Sequence, residues 1–483
     1  LNYDGSSISD NNAGWAGFNI FKSGVNELNS NSDTSNWYSK IVYTSDRIAR
    51  EWIDTDVLNG TIYVYRITVF DSHYNDNILF NNESWYSDSK SIMPRENYFG
   101  PKWYVSYDTG SDITGDGSET YPFQTISKTL TFTNEFDTVF VYNGTYPEII
   151  SVDTNNLTLI GSDSSLTVID PPGDSATAGL YGIYSQNKHH IYLKNFHIID
   201  CDYGIYFDNV DSSSISFCFL DINGKTSNGG IYIGSGDSNL IENNLFNNNY
   251  YGIYLFGGSY NAVRNNYIQQ GTRKGIYLNA ISNSVLYNNI SSNNSDGGYY
   301  IMGSAQNMIY NNTANNNNNY GFSFNASENN NFFNNMSLNN SGIGVFVNSN
   351  SNNNDFISNV IKNNVSVSGN GFQIDGSVNN KFILNTLYSN DAYGFYINGT
   401  AAADTFEKNN WIGSAVNPDS AVYCFAASDF IFKNNYWNTS DSAVLSAKIY
   451  CNAGNILWSP YRISEIDTAV NADTTAPETP SFI

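Results

Sequence analysis

One short phrase, a glycine followed by an apolar residue and then most often a tyrosine, recurs along most of the chain at intervals of 22 to 27 residues. A repeat of this length signals a solenoid, in which each unit stacks on the one before it. Each unit is too short for a pair of helices and holds two or three strand-like segments separated by Gly, Asn and Ser. The pattern predicts a coil of β-strands with successive turns about 4.8 Å apart. The repeated glycines are Gly182, Gly204, Gly230, Gly252, Gly275, Gly298, Gly321, Gly344, Gly371 and Gly394, and Ala421 takes their place in an eleventh unit.

Two apolar columns follow these glycines. The residue after each glycine forms one column, from Ile183 to Val422, and the residue two places further forms the other, from Phe207 to Cys424. Alternate residues of a strand share a face, so both columns are predicted to point into the coil. No single unit can bury them alone, and the stacking of units supplies the core.

An Asn-Asn pair ends the second strand of many units. Identical asparagines stacked one turn apart can donate and accept amide hydrogen bonds along the axis. Asparagine also tolerates the left-handed backbone that a tight corner needs. The pairs begin at Asn243, Asn265, Asn288, Asn311, Asn334, Asn409 and Asn434.

These repeats resemble the right-handed parallel β-helix of the pectate-lyase-like superfamily. We therefore expect a β-helix over residues 98–465. The segment from Trp103 to Leu130 resembles the N-terminal cap of many secreted β-helix proteins, which implies a cap at about residues 103–135. Within it, Asp108, Asp112 and Asp116 offer the oxygen ligands that Ca²⁺ prefers. The alternative is that a glycine-rich turn needs these aspartates for backbone reasons alone.

Residues 1–97 lack the repeat and resemble a fibronectin type III β-sandwich. In that family the stretch matching VLNGTIYVYRI carries a corner tyrosine, which would be Tyr63 here. The resemblance implies that the first strand of the sandwich is missing. The overall expectation is an all-β chain, with a small β-sandwich before the β-helix solenoid.

Residues 466–483 are expected to be a linker and a possible donor strand, because DTTAPETPSFI resembles the first strand of the same kind of sandwich. One interpretation is that the tail of each subunit completes the sandwich of its neighbour by adding a strand. The others are one unit of a longer tandem chain, or a match without meaning. The donor-strand residues would be Pro477, Pro480, Phe482 and Ile483.

The middle residue of each glycine-led strand must face outward, since both of its neighbours face inward. Most of these outward residues are aromatic, a run that exceeds the scattered exposure expected of a monomer. Stacking between turns is the plain explanation. The alternatives are a lateral protein contact and a sugar-binding face, both of which suit tyrosine. The stripe consists of Tyr184, Tyr206, Tyr232, Tyr254, Tyr277, Tyr300, Phe346, Tyr396 and Tyr423.

The composition limits the classes of binding partner and the cellular compartment that we expect for this chain. The formal net charge is -24 with only 21 Lys and Arg, so nucleic acid would be repelled. The sequence contains no run of 18 apolar residues, so it predicts no membrane-spanning segment. A polar but weakly charged composition favours an extracellular or cell-surface location. In an oxidising compartment, Cys201–Cys218 and Cys424–Cys451 disulfides are plausible, and the alternative is four small buried thiols. Glycosylation candidates are Asn59, Asn82, Asn143 and Asn398.

Catalysis finds little support in the sequence. A glycosidase needs paired carboxylates, and the sequence does not place such a pair on adjacent turns. Glu407 falls in a column that we aligned with Ile357 and Ile383, and a one-residue bulge that turns Phe406 inward is the favoured explanation. No catalytic residue is assigned, and no cofactor is expected beyond a possible Ca²⁺.

We therefore expect a structural subunit of an extracellular filament, sheath or surface layer. Its partners would be copies of itself, joined head-to-tail by C-terminal strand donation or by lateral contacts, with cell-surface polysaccharide as a further partner. The alternative is a secreted β-helix enzyme, such as a polysaccharide lyase or hydrolase, or a carbohydrate-binding adhesin.

Overall fold

The chain divides into two units, Leu1–Phe99 and Gly100–Ile483. The structure is a computed structural model that describes residues 15–24, 39–44, 54, 56–58, 61, 63–71, 90–92, 98–225, 228–413, 420–452 and 454–466. None of the helices in these ranges has the length and apolar character that crossing a bilayer requires.

The described part of the first unit is one antiparallel sheet with the strand order β2-β1-β3-β4. Its strands are β1 (Trp15–Gly24), β2 (Ser39–Thr44), β3 (Tyr63–Asp71) and β4 (Lys90–Ile92). The hydroxyl of Tyr63 accepts a hydrogen bond of 3.1 Å from the backbone N–H of Leu58. A corner tyrosine bonds upstream backbone in the same way. One sheet does not make a sandwich, so the fibronectin type III assignment stays a prediction.

The second unit is a coil of three parallel sheets, and from residue 138 to residue 424 each turn visits the first, second and third sheet in order. The first sheet has fifteen strands: β5 (Lys102–Val105), β6 (Thr138–Val141), β9 (Thr158–Gly161), β12 (Tyr192–Lys194), β15 (Ser214–Ser216), β18 (Leu240–Glu242), β21 (Ala262–Arg264), β24 (Val285–Tyr287), β27 (Met308–Tyr310), β30 (Asn331–Phe333), β33 (Asp355–Ile357), β36 (Lys381–Ile383), β39 (Thr405–Glu407), β42 (Phe430–Lys433) and β44 (Ile456–Leu457). The second sheet has twelve: β7 (Gly144–Tyr146), β10 (Thr167–Ile169), β13 (His197–Ile199), β16 (Phe219–Asp221), β19 (Leu245–Asn247), β22 (Tyr267–Gln269), β25 (Ile290–Ser292), β28 (Thr313–Asn315), β31 (Met336–Leu338), β34 (Val360–Lys362), β37 (Thr386–Tyr388) and β40 (Asn410–Ile412). The third sheet has thirteen: β8 (Ile150–Ser151), β11 (Tyr181–His189), β14 (Tyr203–Asp211), β17 (Gly229–Gly234), β20 (Tyr251–Phe256), β23 (Ile276–Asn279), β26 (Gly297–Met302), β29 (Tyr320–Asn325), β32 (Ile343–Asn348), β35 (Phe372–Asp375), β38 (Phe395–Asn398), β41 (Val422–Cys424) and β43 (Ile449–Cys451).

Among the described residues of this unit, two short helices lie near the ends of the coil. Helix α1 (Ile126–Leu130) begins at Thr125, whose side chain accepts a hydrogen bond from the N–H of Lys128. Helix α2 (Ser442–Lys448) begins at Asp441, whose carboxylate accepts from the first-turn N–H groups. Side-chain caps of this kind satisfy the N–H donors that a helix start leaves unpaired.

The predicted core columns are buried, and the repeated glycines lie in the third sheet immediately before them. Ile183, Ile205 and Ile253 of the first column are fully buried. A Cβ added to Gly321 would lie 2.1 Å from the Ser337 hydroxyl and 2.7 Å from the carbonyl oxygen of Gly344 on the next turn. Glycine recurs in these ten units because the neighbouring atoms leave too little room for a Cβ, whereas Ala421 is accommodated in the eleventh.

The Asn-Asn pairs divide two roles between their members. The first member, such as Asn311 with φ 55°, adopts the left-handed backbone of the corner. The second member, such as Asn312, is buried and bonds the turns above and below. The prediction assigned both roles to the same residues, and it misplaced one pair, because Lys408 with φ 56° takes the corner and Asn409 joins the buried ladder.

In the described part of the coil, three asparagine-rich ladders run along the axis, two more than the sequence predicted. The first consists of Asn244, Asn266, Asn289, Asn312, Asn335, Asn359, Asn385, Asn409 and Asn435. The second consists of Asn239, Asn261, Ser284, Asn307, Asn330, Asn354, Asn380 and Asp404. The third runs through Asn223 and Asn249, and again through Asn294, Asn317, Asn340, Asn364 and Asn390. Together they satisfy backbone N–H groups that would otherwise be buried without partners.

Candidate functional site

The tyrosine stripe lies on the outward side of the third sheet, where its residues are register partners on successive strands. Each ring is half-buried. Rings stack between turns: the ring centroids of Tyr254 and Tyr277 are 4.5 Å apart at an interplanar angle of 3°. Stacking thus accounts for part of the burial, and the outer part of each ring remains at the surface. Ser323 and Gln373 interrupt the stripe and divide it into a first aromatic block from Tyr184 to Tyr300, Phe346 alone, and a last block of Tyr396 and Tyr423.

Burial affects the ionisation of two phenols in the first aromatic block. It raises the pKa of Tyr232 and of Tyr277 to about 12, with neighbouring phenols adding to the effect. These two hydroxyls therefore stay protonated at neutral pH, and each ring is uncharged with a hydrogen-bonding tip.

A charged cluster adjoins the first aromatic block. Lys274 occupies the position that Tyr251 holds one turn earlier, directly before the repeated glycine. Its Nζ lies 2.8 Å from Oδ2 of Asp296 and 4.8 Å from the ring centroid of Tyr300. Burial opposes ionisation of Asp296, but the hydrogen bond and charge of Lys274 outweigh it and lower the pKa of this carboxyl. The pair is therefore ionised and fixes the lysine beside the tyrosine rings.

Arg273 gives the cluster an excess of positive charge. Its Nε lies 4.0 Å from Oδ2 of Asp296, and its side chain is 48% exposed. Its guanidinium carbon is 5.9 Å from the ring centroid of Tyr250. Two cations share one carboxylate here, in a chain whose net charge is -24. We name Arg273, Lys274 and Asp296 the basic cluster. The available signal was Arg-Lys before Gly275, where the preceding unit has Tyr-Tyr.

Tyr320 closes the cluster on its far side. A Cβ on Gly297 would lie 2.1 Å from the Tyr320 ring, so glycine is required there for the ring to pack. The Tyr320 hydroxyl is buried and has no hydrogen-bond partner among the described residues. Burial raises its pKa far above the usual range, with the Asp296 charge adding to the effect.

The four cysteines are free thiols in the structure. Cys201 and Cys218 each donate a backbone N–H to the first asparagine of a different ladder, Asn223 and Asn244 respectively. They therefore lie at different corners of the coil, and the fold does not bring them together. Cys424 and Cys451 are register partners on adjacent strands, so their disulfide stays a prediction.

The three aspartates of the cap do not converge on a metal. Asp112 accepts hydrogen bonds from the N–H groups of Gln124 and Thr125, and Asp116 accepts one from Ser118. In the described ranges, no group of three or more His, Cys, Asp or Glu side chains could hold a metal ion. The turn explanation fits these contacts better than a Ca²⁺ site.

Other predicted positions are distributed as follows. Asn143 is exposed on a turn and Asn398 is half-buried at the end of β38. Asn59, Asn82 and the donor-strand residues Pro477, Pro480, Phe482 and Ile483 lie outside the described residues.

The proposed bulge at Glu407 is wrong. Phe406 is buried and Glu407 faces outward, as expected, but the strand pairs regularly, Phe406 with Phe382 and Glu407 with Ile383. The inward column runs through Phe356 and Phe382, and Ile357 and Ile383 face outward like Glu407. The sequence alignment was one residue out of register in these two units. Glu407 therefore belongs to a regular outward column and is not a buried carboxylate.

Two family profiles match parts of the chain. One, described as "Right handed beta helix region", matches residues 221–361. The other, described as "Periplasmic copper-binding protein (NosD)", matches residues 294–462. The latter range contains no histidine, and its methionines Met302, Met308 and Met336 lie on three different sheets. Its two cysteines, Cys424 and Cys451, are register partners, but the described residues include no group of three or more His, Cys, Asp or Glu side chains that could hold a metal ion. The residues present do not fit a copper centre, and we derive no chemistry through one.

Several solved structures are similar to this chain at low sequence identity. The Dettilon tailspike protein is 17% identical, with a TM-score of 0.50, and the match covers 73% of this chain and 68% of that one. The periplasmic alginate epimerase AlgG is 14% identical, with a TM-score of 0.42 and coverage of 68% and 77%. DFA-IIIase from Arthrobacter chlorophenolicus A6 is 12% identical, with a TM-score of 0.46 and coverage of 72% and 98%. A comparison with curated protein sequences found no match. The strand topology and the first profile together establish the second unit as a right-handed parallel β-helix.

Proposed function

We propose that this protein is an extracellular surface protein that binds polysaccharide along the tyrosine stripe. The observation that carries the proposal is the outward column of half-buried, uncharged tyrosines in register on the third sheet. A phenol ring offers an apolar face for the C–H surface of a sugar and a hydroxyl for its polar groups. A row of such rings suits an extended chain better than a single small ligand.

The basic cluster favours an acidic polysaccharide. Arg273 is half-exposed at the edge of the stripe, and a guanidinium pairs well with carboxylate or sulfate groups. The remainder of the chain is strongly acidic, so attraction is local to this cluster and should weaken with salt.

Binding is favoured over hydrolysis for this site. The cluster supplies one carboxylate, Asp296, which Lys274 and the amide of Asn319 already engage. A glycosidase of the usual kind needs two carboxyl groups flanking the scissile bond. These contacts therefore support polysaccharide binding at this site more than cleavage by a lyase or hydrolase.

The test compares Tyr254→Ala/Tyr277→Ala with Tyr388→Ala, an outward tyrosine of the second sheet that is 40% exposed. Affinity electrophoresis against polygalacturonate, alginate and a neutral glucan measures binding, and an assay for new reducing or unsaturated ends measures cleavage. Two stacking rings contribute about 1–3 kcal/mol, so the double variant should bind an acidic polymer at least about fivefold more weakly. Equal binding by the double variant and the wild type would reject the stripe as the site, as would binding to none of these polymers.

Self-assembly into a filament, sheath or surface layer is the second candidate. Its support is the length of the stripe, which runs from Tyr184 to Tyr423 and exceeds a single pocket. Strand donation by residues 473–483 is one route, and lateral contact is another. Negative-stain microscopy of the full chain and of a chain lacking 473–483 separates the routes, because polymers that persist after the deletion exclude strand donation.

A further inference from the structure

The outward side of the first sheet carries a column whose charges are arranged symmetrically. Nine register partners on consecutive strands begin with an acid and a base, continue with five apolar residues, and end with an acid and a base. In order they are Glu242, Arg264, Tyr287, Tyr310, Phe333, Ile357, Ile383, Glu407 and Lys433.

The five apolar residues form a continuous surface. The rings of Tyr287 and Tyr310 stack with centroids 5.1 Å apart, and Phe333 continues the stack at 4.9 Å from Tyr310. Met308 lies beside them and is 41% exposed. An apolar patch that spans several turns and is bounded by charges is typical of a protein contact.

We infer that a second copy of this chain packs against this column, with the two solenoids antiparallel and related by a two-fold axis through Phe333. The axis places Phe333 against its own counterpart. It also places Arg264 of each copy against Glu407 of the other, and Glu242 against Lys433. An isologous contact of this kind is self-complementary along its whole length.

The charge order selects the antiparallel arrangement. If the two solenoids ran parallel with the same column in contact, Glu242 would meet Glu242 and Arg264 would meet Arg264. Like charges brought together in this way disfavour a contact. Reversing one copy converts all four end contacts into attractive pairs. The Glu242–Arg264 ion pair within one copy, 2.6 Å long, would then extend into a four-charge network.

The neighbouring outward column is compatible with the same axis. Leu240 would face Ile431, and Met308 would face Asp355, which already pairs with Lys381 at 3.0 Å. No like charges meet in this column. Nine turns span about 38 Å, and a contact about 15 Å wide would bury roughly 600 Å² per copy. That area is at the low end for a specific complex, so the dimer should dissociate at micromolar concentrations.

This surface is separate from the tyrosine stripe, and the inference does not rest on polysaccharide binding. It also uses none of residues 473–483, so it differs from strand donation.

The test uses charge reversal and mixing, with the mass in solution measured by sedimentation velocity from 1 to 100 μM (on the order of the expected dissociation constant). Arg264→Glu and Glu407→Arg should each raise the dissociation constant of the homodimer at least about tenfold relative to the wild type. The two-fold axis makes residues 264 and 407 meet at two places, so each variant creates a repulsive contact at both. An equimolar mixture of the two variants should recover the dimer, since Glu at 264 of one chain then meets Arg at 407 of the other. A mixture that stays monomeric would overturn the antiparallel register.

A second pair of variants guards against misfolding. Phe333→Arg puts two like charges on the axis and should abolish the dimer, whereas Phe346→Arg alters a half-buried, outward phenylalanine of the third sheet and should leave it intact. Circular dichroism confirms the fold of each. A wild-type chain that is monomeric throughout the concentration range would overturn the inference, and so would a dimer that Phe346→Arg disrupts and Phe333→Arg does not.

Discussion

Replacing Asn312 with alanine should destabilise the coil more than any surface change nearby. The Asn312 side chain is fully buried. Its Oδ1 accepts from the backbone N–H of Asn289 at 3.0 Å and from the amide of the same residue at 2.9 Å. Its Nδ2 donates to the carbonyl oxygen of Leu286 at 2.9 Å and to Oδ1 of Asn335 at 3.1 Å. The same Nδ2 also donates to the carbonyl oxygen of Tyr310 at 3.0 Å. The substitution leaves the Asn289 N–H without its acceptor and removes four further hydrogen bonds. At about 1–3 kcal/mol for the orphaned donor and about 0.5–1.5 kcal/mol for each of the four other bonds, the loss is roughly 3–9 kcal/mol.

The adjacent Asn311 provides the matched control. It is exposed and left-handed, with φ 55°, so Asn311→Gly should change stability by less than about 1 kcal/mol. Urea unfolding followed by circular dichroism gives both differences. Hydrogen exchange localises the effect, because the Asn289 amide should lose protection in Asn312→Ala only. If the two variants unfold at the same urea concentration, the buried ladder does not carry the stability assigned to it.

Three further predictions concern a glycine, a buried aspartate and a pair of cysteines. Gly321→Ala should lower the thermal midpoint of unfolding far more than Gly303→Ala, because an added Cβ at Gly303 meets nothing within 4 Å and costs only about 1 kcal/mol of left-handed strain. Equal midpoints for the two variants would contradict the close-approach argument. Asp404 ends the second ladder, and burial raises its pKa to about 7 despite hydrogen bonds from Asn380. The folded chain thus keeps a proton that the unfolded chain releases near pH 3.8, so the free energy of unfolding should fall as the pH rises from about 4 through 7, by roughly 4 kcal/mol at most. Asp404→Asn should abolish this loss. A urea midpoint with the same pH dependence in this variant would refute the assignment. Peptide mapping of secreted protein without reduction should recover a linked Cys424–Cys451 pair, whereas complete alkylation of both thiols would exclude it.

The solenoid could be predicted because its signal is repeated. Ile183 and Ile205 need only a count from the preceding glycine to be placed in the core, and any error is corrected by the next unit. The roles within an Asn-Asn pair could not be separated in this way. Asn311 and Asn312 are chemically identical, and only the backbone conformation at the corner decides which one turns inward.

Register failed where the unit length changes. The turns that contain Phe356 and Phe382 are longer than their predecessors, and in these two turns the sequence alignment placed the following residue, Ile357 or Ile383, inside instead. That one-residue slip reverses which side chains face out. It also hid the symmetric column of the first sheet, because two of its apolar members had been assigned to the core.

The basic cluster shows a different limit of sequence reasoning. Lys274 and Asp296 are 22 residues apart and look unrelated, yet the coil places them on adjacent turns with 2.8 Å between their charged atoms. Contacts of this kind depend on the corner between the second and third sheets. The departure from Tyr-Tyr to Arg-Lys before one glycine was visible, but a single departure does not identify its partner.

The two proposed surfaces lead to a joint prediction when they are considered together. The inferred dimer contact occupies the first sheet and leaves the third sheet of both copies uncovered, so each dimer would present two polysaccharide-binding stripes. Two linked sites raise the apparent affinity for a long polymer by about 10²–10⁴ when both can engage, without any new contact. Short oligosaccharides cannot bridge the stripes and should bind the wild type and Phe333→Arg equally. Long chains should bind the wild type more tightly and form turbid, cross-linked mixtures with it but not with Phe333→Arg. If both proteins cross-link long chains equally, the dimer plays no part in binding, even where the single-site affinity is as proposed.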